Sequence, residues 1–270
     1  MSHNNNPIGI FDSGIGGLTV AAAIKRQLPD EQLVYFGDTA HMPYGDKSSE
    51  LIQGYASRIT EFLLREKNCK AIVIACNTAS AVAYETLRDQ HKGAVPIINV
   101  IDPMVEEVIA DDLIKKVGII ATKGTIGSGV YQKKIERRKP TLRYAALATP
   151  LLATMIEEGF VSNNISSAVI EQYLQDPTLQ GIDALVLACT HYPLIKKEIN
   201  NFYQGKVKIL NSAEVVAAKL KGILQKENLI SIARAEEDSF YVSDITPAFE
   251  LATRIFFGHA VHLEKIEISK

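Results

Sequence analysis

The chain has 270 residues, 47% of them hydrophobic and 22% charged, with a formal net charge of −2. That is enough apolar material for one large domain or two smaller ones, and the absence of a basic stripe or acidic tail argues against nucleic acid as a partner. No apolar run approaches the roughly 20 residues of a membrane span, the polar start at residues 1–6 lacks the apolar core of a signal peptide, and three widely spaced cysteines make no disulfide framework, so a cytoplasmic protein is expected.

Residues 7–11 read as a buried strand. Gly14 to Gly17 then turn the chain into a helix that ends near Leu28, just before Pro29. A strand at 33–36 leads into a loop through Tyr44. Apolar spacing at Ile52, Tyr55, Ile59, Phe62 and Leu63 predicts a helix over 48–67. A continuous apolar run at 71–75, a helix over 78–91 and a strand at 96–100 follow. The pattern starts again with a strand at 117–121, a helix over 125–138 and a strand at 142–147. Helices over 151–158 and 165–175 precede a strand at 184–188, a helix after Pro193, a strand at 207–210 and a helix over 213–225. A strand at 240–242 and a helix over 247–257 close the chain. Strands apolar on both faces, alternating with helices, predict an α/β fold of mostly parallel sheets flanked by helices.

The two halves echo one another. Ala71-Ile-Val-Ile-Ala-Cys76 matches Ala184-Leu-Val-Leu-Ala-Cys189 at nearly every position, and Gly9-Ile-Phe corresponds to Gly118-Ile-Ile at a similar distance upstream. The period is far longer than a solenoid repeat, and a duplicated α/β domain is the economical reading.

Each repeat ends its strand on a cysteine followed by polar residues, Cys76-Asn77-Thr78 and Cys189-Thr190-His191. Ligands of open parallel sheets bind beyond the carboxyl ends of the strands. Two such ends facing one another would bring two thiols to one cleft, which suits proton removal and return on opposite faces of one carbon. A thiol titrates near pH 8.5 and can serve as either acid or base. The alternative is that either cysteine is a small buried hydrophobe; Cys69, which has no counterpart and precedes its strand, takes that reading.

Asp12-Ser13-Gly14-Ile15-Gly16-Gly17 follows the first strand. Its glycines permit a tight turn and leave N–H groups at a helix start, a seat suited to a carboxylate, although the pattern taken alone reads more readily as a plain turn. Position 19 is threonine, so the dinucleotide spacing is not met. Asp12 could orient or deprotonate a ligand, or could cap the turn. His191 could tune Cys189, hold a substrate carboxylate, or be a hydrogen-bonded structural residue.

Taken together, Phe-Asp12-Ser13-Gly-Ile-Gly-Gly-Leu-Thr, Pro43-Tyr44-Gly45, Ala-Cys76-Asn77-Thr78-Ala and Cys189-Thr190-His191-Tyr192-Pro193-Leu194 resemble the glutamate racemases of the aspartate/glutamate racemase superfamily, in the family's order over most of the chain. The resemblance implies two similar, pseudo-symmetric α/β domains with the active site between them. The first would comprise 1–99 and 211–270, the second 100–210. It implies a two-base reaction on glutamate that uses no pyridoxal phosphate and no metal, a homodimer, and a bacterial role in supplying D-glutamate for peptidoglycan. Carried over by motif, Cys76 is the base for D-glutamate and Cys189 the base for L-glutamate, assisted by Asp12 and His191 respectively. Ser13, Tyr44, Gly45, Asn77, Thr78 and Thr190 match substrate contacts, with Asp12 and His191 also at the substrate; Thr122, Thr125 and Glu157 match more loosely. One departure is Thr149, where many members have cysteine. Two rival classes stay in view: a cysteine hydrolase using Cys189 and His191, and a two-lobed binding protein needing no thiols.

Overall fold

The structure, a computed structural model, describes residues 3–233 and 236–268. In chain order it runs β1 (Ile8–Asp12), α1 (Leu18–Gln27), β2 (Leu33–Gly37), α2 (Ser49–Arg65), β3 (Ala71–Ile74), α3 (Asn77–Gln90), β4 (Ile97–Asn99) and α4 (Ile101–Ala110). It continues with β5 (Lys116–Ala121), α5 (Lys123–Gly127), α6 (Val130–Arg138), β6 (Arg143–Ala148), α7 (Pro150–Glu157), α8 (Asn164–Leu174), β7 (Ala184–Ala188), α9 (Lys196–Phe202) and β8 (Lys208–Asn211). Then come α10 (Ser212–Lys226), β9 (Ser239–Val242), α11 (Pro247–Phe257) and the short β10 (Glu264–Lys265). Among the described residues these strands form two sheets, ordered β10-β9-β2-β1-β3-β4 and β6-β5-β7-β8. Every pairing is parallel. The α/β architecture is the one the alternation predicts. No described helix is long and apolar enough to cross a membrane.

The strands sit at sheet centres because they are apolar on both faces. Every residue of β1, β3 and β7 is buried, and each fully buried aliphatic side chain contributes about 1.5–3 kcal/mol. The echo between the halves has a packing cause. A Cβ on Gly9 would come 2.8 Å from Ile72 Cδ1 on β3, and one on Gly118 would come 2.9 Å from Ile182 Cδ1 and 3.1 Å from Leu185 Cδ1 on β7. In both lobes the strand beside the cysteine strand thus carries glycine, and side chains of the cysteine strand and of the segment before it fill the space.

Three expectations need correction. The helix expected over 125–138 is two helices, because Gly129 takes φ 63° and ends α5; the Ser128 side chain then accepts the Val130 N–H at 3.2 Å to start α6. The helix expected after Pro193 opens as a tight 3₁₀ turn, Tyr192–Ile195, before α9 begins. Where only a connection was expected after the strand at 96–100, α4 forms. Asn99 Oδ1 accepts the N–H groups of Ile101 and Asp102, both at 2.8 Å, and Ile101, Met104, Val105 and Val108 are buried. Helix α4 packs on α10 and α6, and α10 on α1, so these helices link the two halves of the fold.

Candidate active site

Cys76 follows β3 and caps α3. Its Sγ accepts the Ala79 N–H at 3.4 Å and lies 3.6 Å from Ser13 Oγ. Burial and the nearby Asp12 carboxylate push the thiol up to about 12, although the Ala79 N–H and Ser13 pull the other way. Asp12 ends β1 and is fully buried. Its Oδ2 accepts from Gly14 at 3.2 Å and Gly17 at 3.0 Å, while Oδ1 has no hydrogen-bond partner. Burial raises its pKa above the ordinary value, against the pull of His191 and the turn's N–H groups. The turn was expected to leave N–H groups for a ligand's carboxylate. Two of them are instead taken by the protein's own Asp12, and only Ser13 of this loop reaches the cavity.

Cys189 follows β7, with its Sγ 3.6 Å from His191 Nδ1. His191 Nε2 is 2.8 Å from Glu157 Oε1 on α7, an ion-pair contact. Burial would push the imidazole down, but Cys189 and Glu157 together outweigh it and hold His191 well above its ordinary value. The first lobe presses directly on this motif. A Cβ on Gly16 would overlap His191 Cε1 and stand 2.7 Å from Thr190 Oγ1. Gly16 is therefore required by close approach, a use the sequence alone does not reveal.

The two motifs face a common cavity of about 80 Å³. Ser13, Tyr44, Gly45, Cys76, Asn77 and Thr78 line it from the first lobe, and Thr122, Glu157, Cys189, Thr190 and His191 from the second. The thiols are 5% and 6% exposed, so both lie inside the protein and not at its surface. Gly45 brings the Tyr44 loop against α5, where a Cβ would lie 3.0 Å from Thr122 Cβ. Thr78 Oγ1 lies 2.9 Å from Thr122 Oγ1 and 3.3 Å from Thr125 Oγ1, tying α3 to α5. The Tyr44 hydroxyl donates to Asp38 at 2.6 Å.

Comparison with known proteins places the chain. Residues 15–220 match the Asp/Glu/Hydantoin racemase family. The glutamate racemase of Neisseria meningitidis is 40% identical over 263 residues, covering 97% of this chain and 96% of its own. The crystal structure of glutamate racemase from Francisella tularensis in complex with D-glutamate superposes with a TM-score of 0.91 at 39% identity, covering 98% of both chains. A glutamate racemase isoform from Bacillus anthracis gives 0.92 at 34% identity, covering 98% of this chain and 99% of its own. The chain belongs to the Asp/Glu/hydantoin racemase family. It is an isomerase, an amino-acid racemase, and neither the hydrolase nor the binding-protein reading survives.

Of the site residues expected from sequence, Ser13, Tyr44, Gly45, Cys76, Asn77, Thr78, Thr122, Glu157, Cys189, Thr190 and His191 line the cavity. Asp12 and Thr125 stand behind the lining. Thr149 is also outside it, fully buried with its Oγ1 2.8 Å from the Tyr192 hydroxyl, so the departure from cysteine falls behind the wall. Among the described residues no group of three or more His, Cys, Asp or Glu could hold a metal ion. Sequence reasoning missed Met42, Lys123 and Thr154 on the cavity wall. Lys123 and Asp46 face one another across the lobes at 3.8 Å. No local spacing marks such residues, because their neighbours come from the other lobe.

Proposed function

We propose that the protein interconverts L- and D-glutamate by a two-base mechanism in which Cys76 and Cys189 exchange the α-proton. The observation that carries this reading is the pair of buried thiols at matched strand ends lining one cavity. Cys76 as thiolate removes the α-proton of D-glutamate while the Cys189 thiol delivers a proton to the opposite face; the L-enantiomer runs the roles in reverse. His191, charged at neutral pH, stabilises negative charge on Cys189. Asp12 Oδ1, buried, unpartnered and close enough to bear on Cys76, is the acceptor that assists the other thiol.

Substrate recognition follows from the lining. The first amides of α3, at Asn77 and Thr78, have no intrahelical partner by position and favour an anion. Ser13, Thr78, Thr122 and Thr190 add hydroxyls, and Lys123 adds a cation at the rim. Such a cavity favours glutamate over glutamine, because replacing a carboxylate leaves buried donors unpaired. The chemistry needs neither pyridoxal phosphate nor a metal, since both protons move on thiols. The two lobes act as domains, 1–99 with 211–270 and 100–210, with the substrate between them. The racemase resemblance supports a cytoplasmic homodimer supplying D-glutamate for bacterial peptidoglycan.

The deciding experiment is incubation with L-glutamate in deuterated water, following optical rotation and α-deuterium together, with chelator present and no added pyridoxal phosphate. Loss of rotation with deuterium incorporation is expected. Unchanged rotation, or activity restored only by pyridoxal phosphate, would overturn the reading.

A further inference from the structure

Two buried side chains outside the reacting groups join the lobes at corresponding places. Tyr131, on α6 of the second lobe, donates its hydroxyl hydrogen to Asn77 Oδ1 at 3.0 Å. Asn77 immediately follows Cys76. Thr19, on α1 of the first lobe, donates to the main-chain carbonyl of Thr190 at 2.9 Å and shares that hydrogen with the Gly16 carbonyl at 3.0 Å. Thr190 immediately follows Cys189. Each lobe therefore grips the residue next to the other lobe's thiol.

We propose that Tyr131 and Thr19 are reciprocal positioning residues, each setting the aim of the thiol carried by the opposite lobe. The proposal rests on the two-thiol reading above. On the Cys76 side, Tyr131 occupies the amide oxygen of Asn77 and so fixes which way the amide faces. Its Nδ2 is buried, has no hydrogen-bond partner among the described residues, and belongs to a residue lining the cavity. A buried donor is costly to leave unpaired, so a held amide with a free N–H₂ is a seat for a substrate acceptor. The seat also places the α-carbon relative to Cys76, since Asn77 and Cys76 share a peptide bond. On the Cys189 side, Thr19 pins the peptide between Thr190 and His191, the two residues that follow the thiol. With Gly16 packed against the imidazole, that peptide cannot shift without moving Cys189 and His191 together.

The two grips serve different thiols, so their loss should slow different proton transfers. The enantiomers are equal in free energy, and kcat/KM must fall equally in both directions. The discriminating quantity is the primary isotope effect with α-deuterated substrate. Tyr131→Phe should lower kcat/KM by about 3- to 10-fold, the cost of one neutral hydrogen bond. It should raise the isotope effect measured from D-glutamate and lower that from L-glutamate. Thr19→Val should do the reverse, and Thr19→Ser, which keeps the donor, should restore both values. If Thr19→Val melts at a lower temperature, Tyr131→Phe, which keeps the ring in its buried seat, decides the matter alone. Rates that fall with unchanged isotope effects, or both variants shifting them in the same sense, would overturn the proposal, because general loosening slows both thiols alike. An unsubstituted protein that exchanges the α-hydrogen of neither enantiomer would defeat the glutamate reading instead.

Discussion

β3 and β7 deliver the same functional group to the cavity from matched backbone positions, yet the two thiols stand in opposite electrostatic surroundings. Cys76 has a buried carboxylate, Asp12, as its charged neighbour, and its thiol is held up at about 12. Cys189 has a buried imidazole whose proton is held in place by Glu157 as well as by the thiol itself. The two lobes therefore share the strand scaffold and not the charges around it. In the proposed reaction one thiol is acid and the other base at any moment, and unlike neighbours would separate those roles before substrate arrives.

The largest effect should come from removing either thiol. Cys76→Ser and Cys189→Ser should each lower racemisation by about a thousandfold or more, because each direction uses both groups. Elimination of a leaving group from a 3-substituted glutamate analogue needs only one thiolate. Cys76→Ser should still process the L-analogue and Cys189→Ser the D-analogue. Both variants favouring one enantiomer would erase the distinction between the two sites.

Next in size is the contact between lobes at His191. Gly16→Ala puts a methyl group where the imidazole ring lies. A displacement approaching 1 Å should lower kcat by about 10- to 100-fold, with about 1–3 kcal/mol of stability lost to overpacking. Wild-type kcat in this variant, measured alongside a thermal melt, would show that His191 is dispensable on the Cys189 side.

A smaller effect tests the charge on that side alone. His191 is held above its ordinary value, so it stays protonated through neutral pH and loses its proton only on the alkaline side. Glu157→Gln removes one of the two groups that raise it, and the alkaline limb of the kcat profile should move to lower pH by roughly 1 unit. An alkaline limb that stays in place would assign it to another group.

The smallest effect should come from the third cysteine. Cys69 is buried beside Gly9, outside the cavity, and burial pushes its thiol up to about 12. Cys69→Ala should leave kcat/KM within about twofold and destabilise by about 1 kcal/mol. An acid whose folded pKa is raised stabilises fully below its unfolded pKa, and that contribution is lost as pH climbs through the folded value. The stability difference between the two proteins should therefore shrink from about pH 9 upward. A difference that grows with pH would contradict the burial of this thiol.

Much of this was legible in the chain itself. The β-α alternation, the strand glycines, the cysteines at strand ends and the order of the motifs determined the fold and the family, because periodicity and turn chemistry act between residues close in sequence. Tertiary structure alone decided that Asp12, and no ligand, takes the N–H groups of Gly14 and Gly17. It also decided that Glu157 is the partner of His191, and that Thr19 grips Thr190, 171 residues away. The strands are specified by apolar side chains that any helix-covered sheet would bury. The charges and grips around the thiols come from residues facing across the gap between lobes, and such a pairing leaves no local pattern until both lobes have folded.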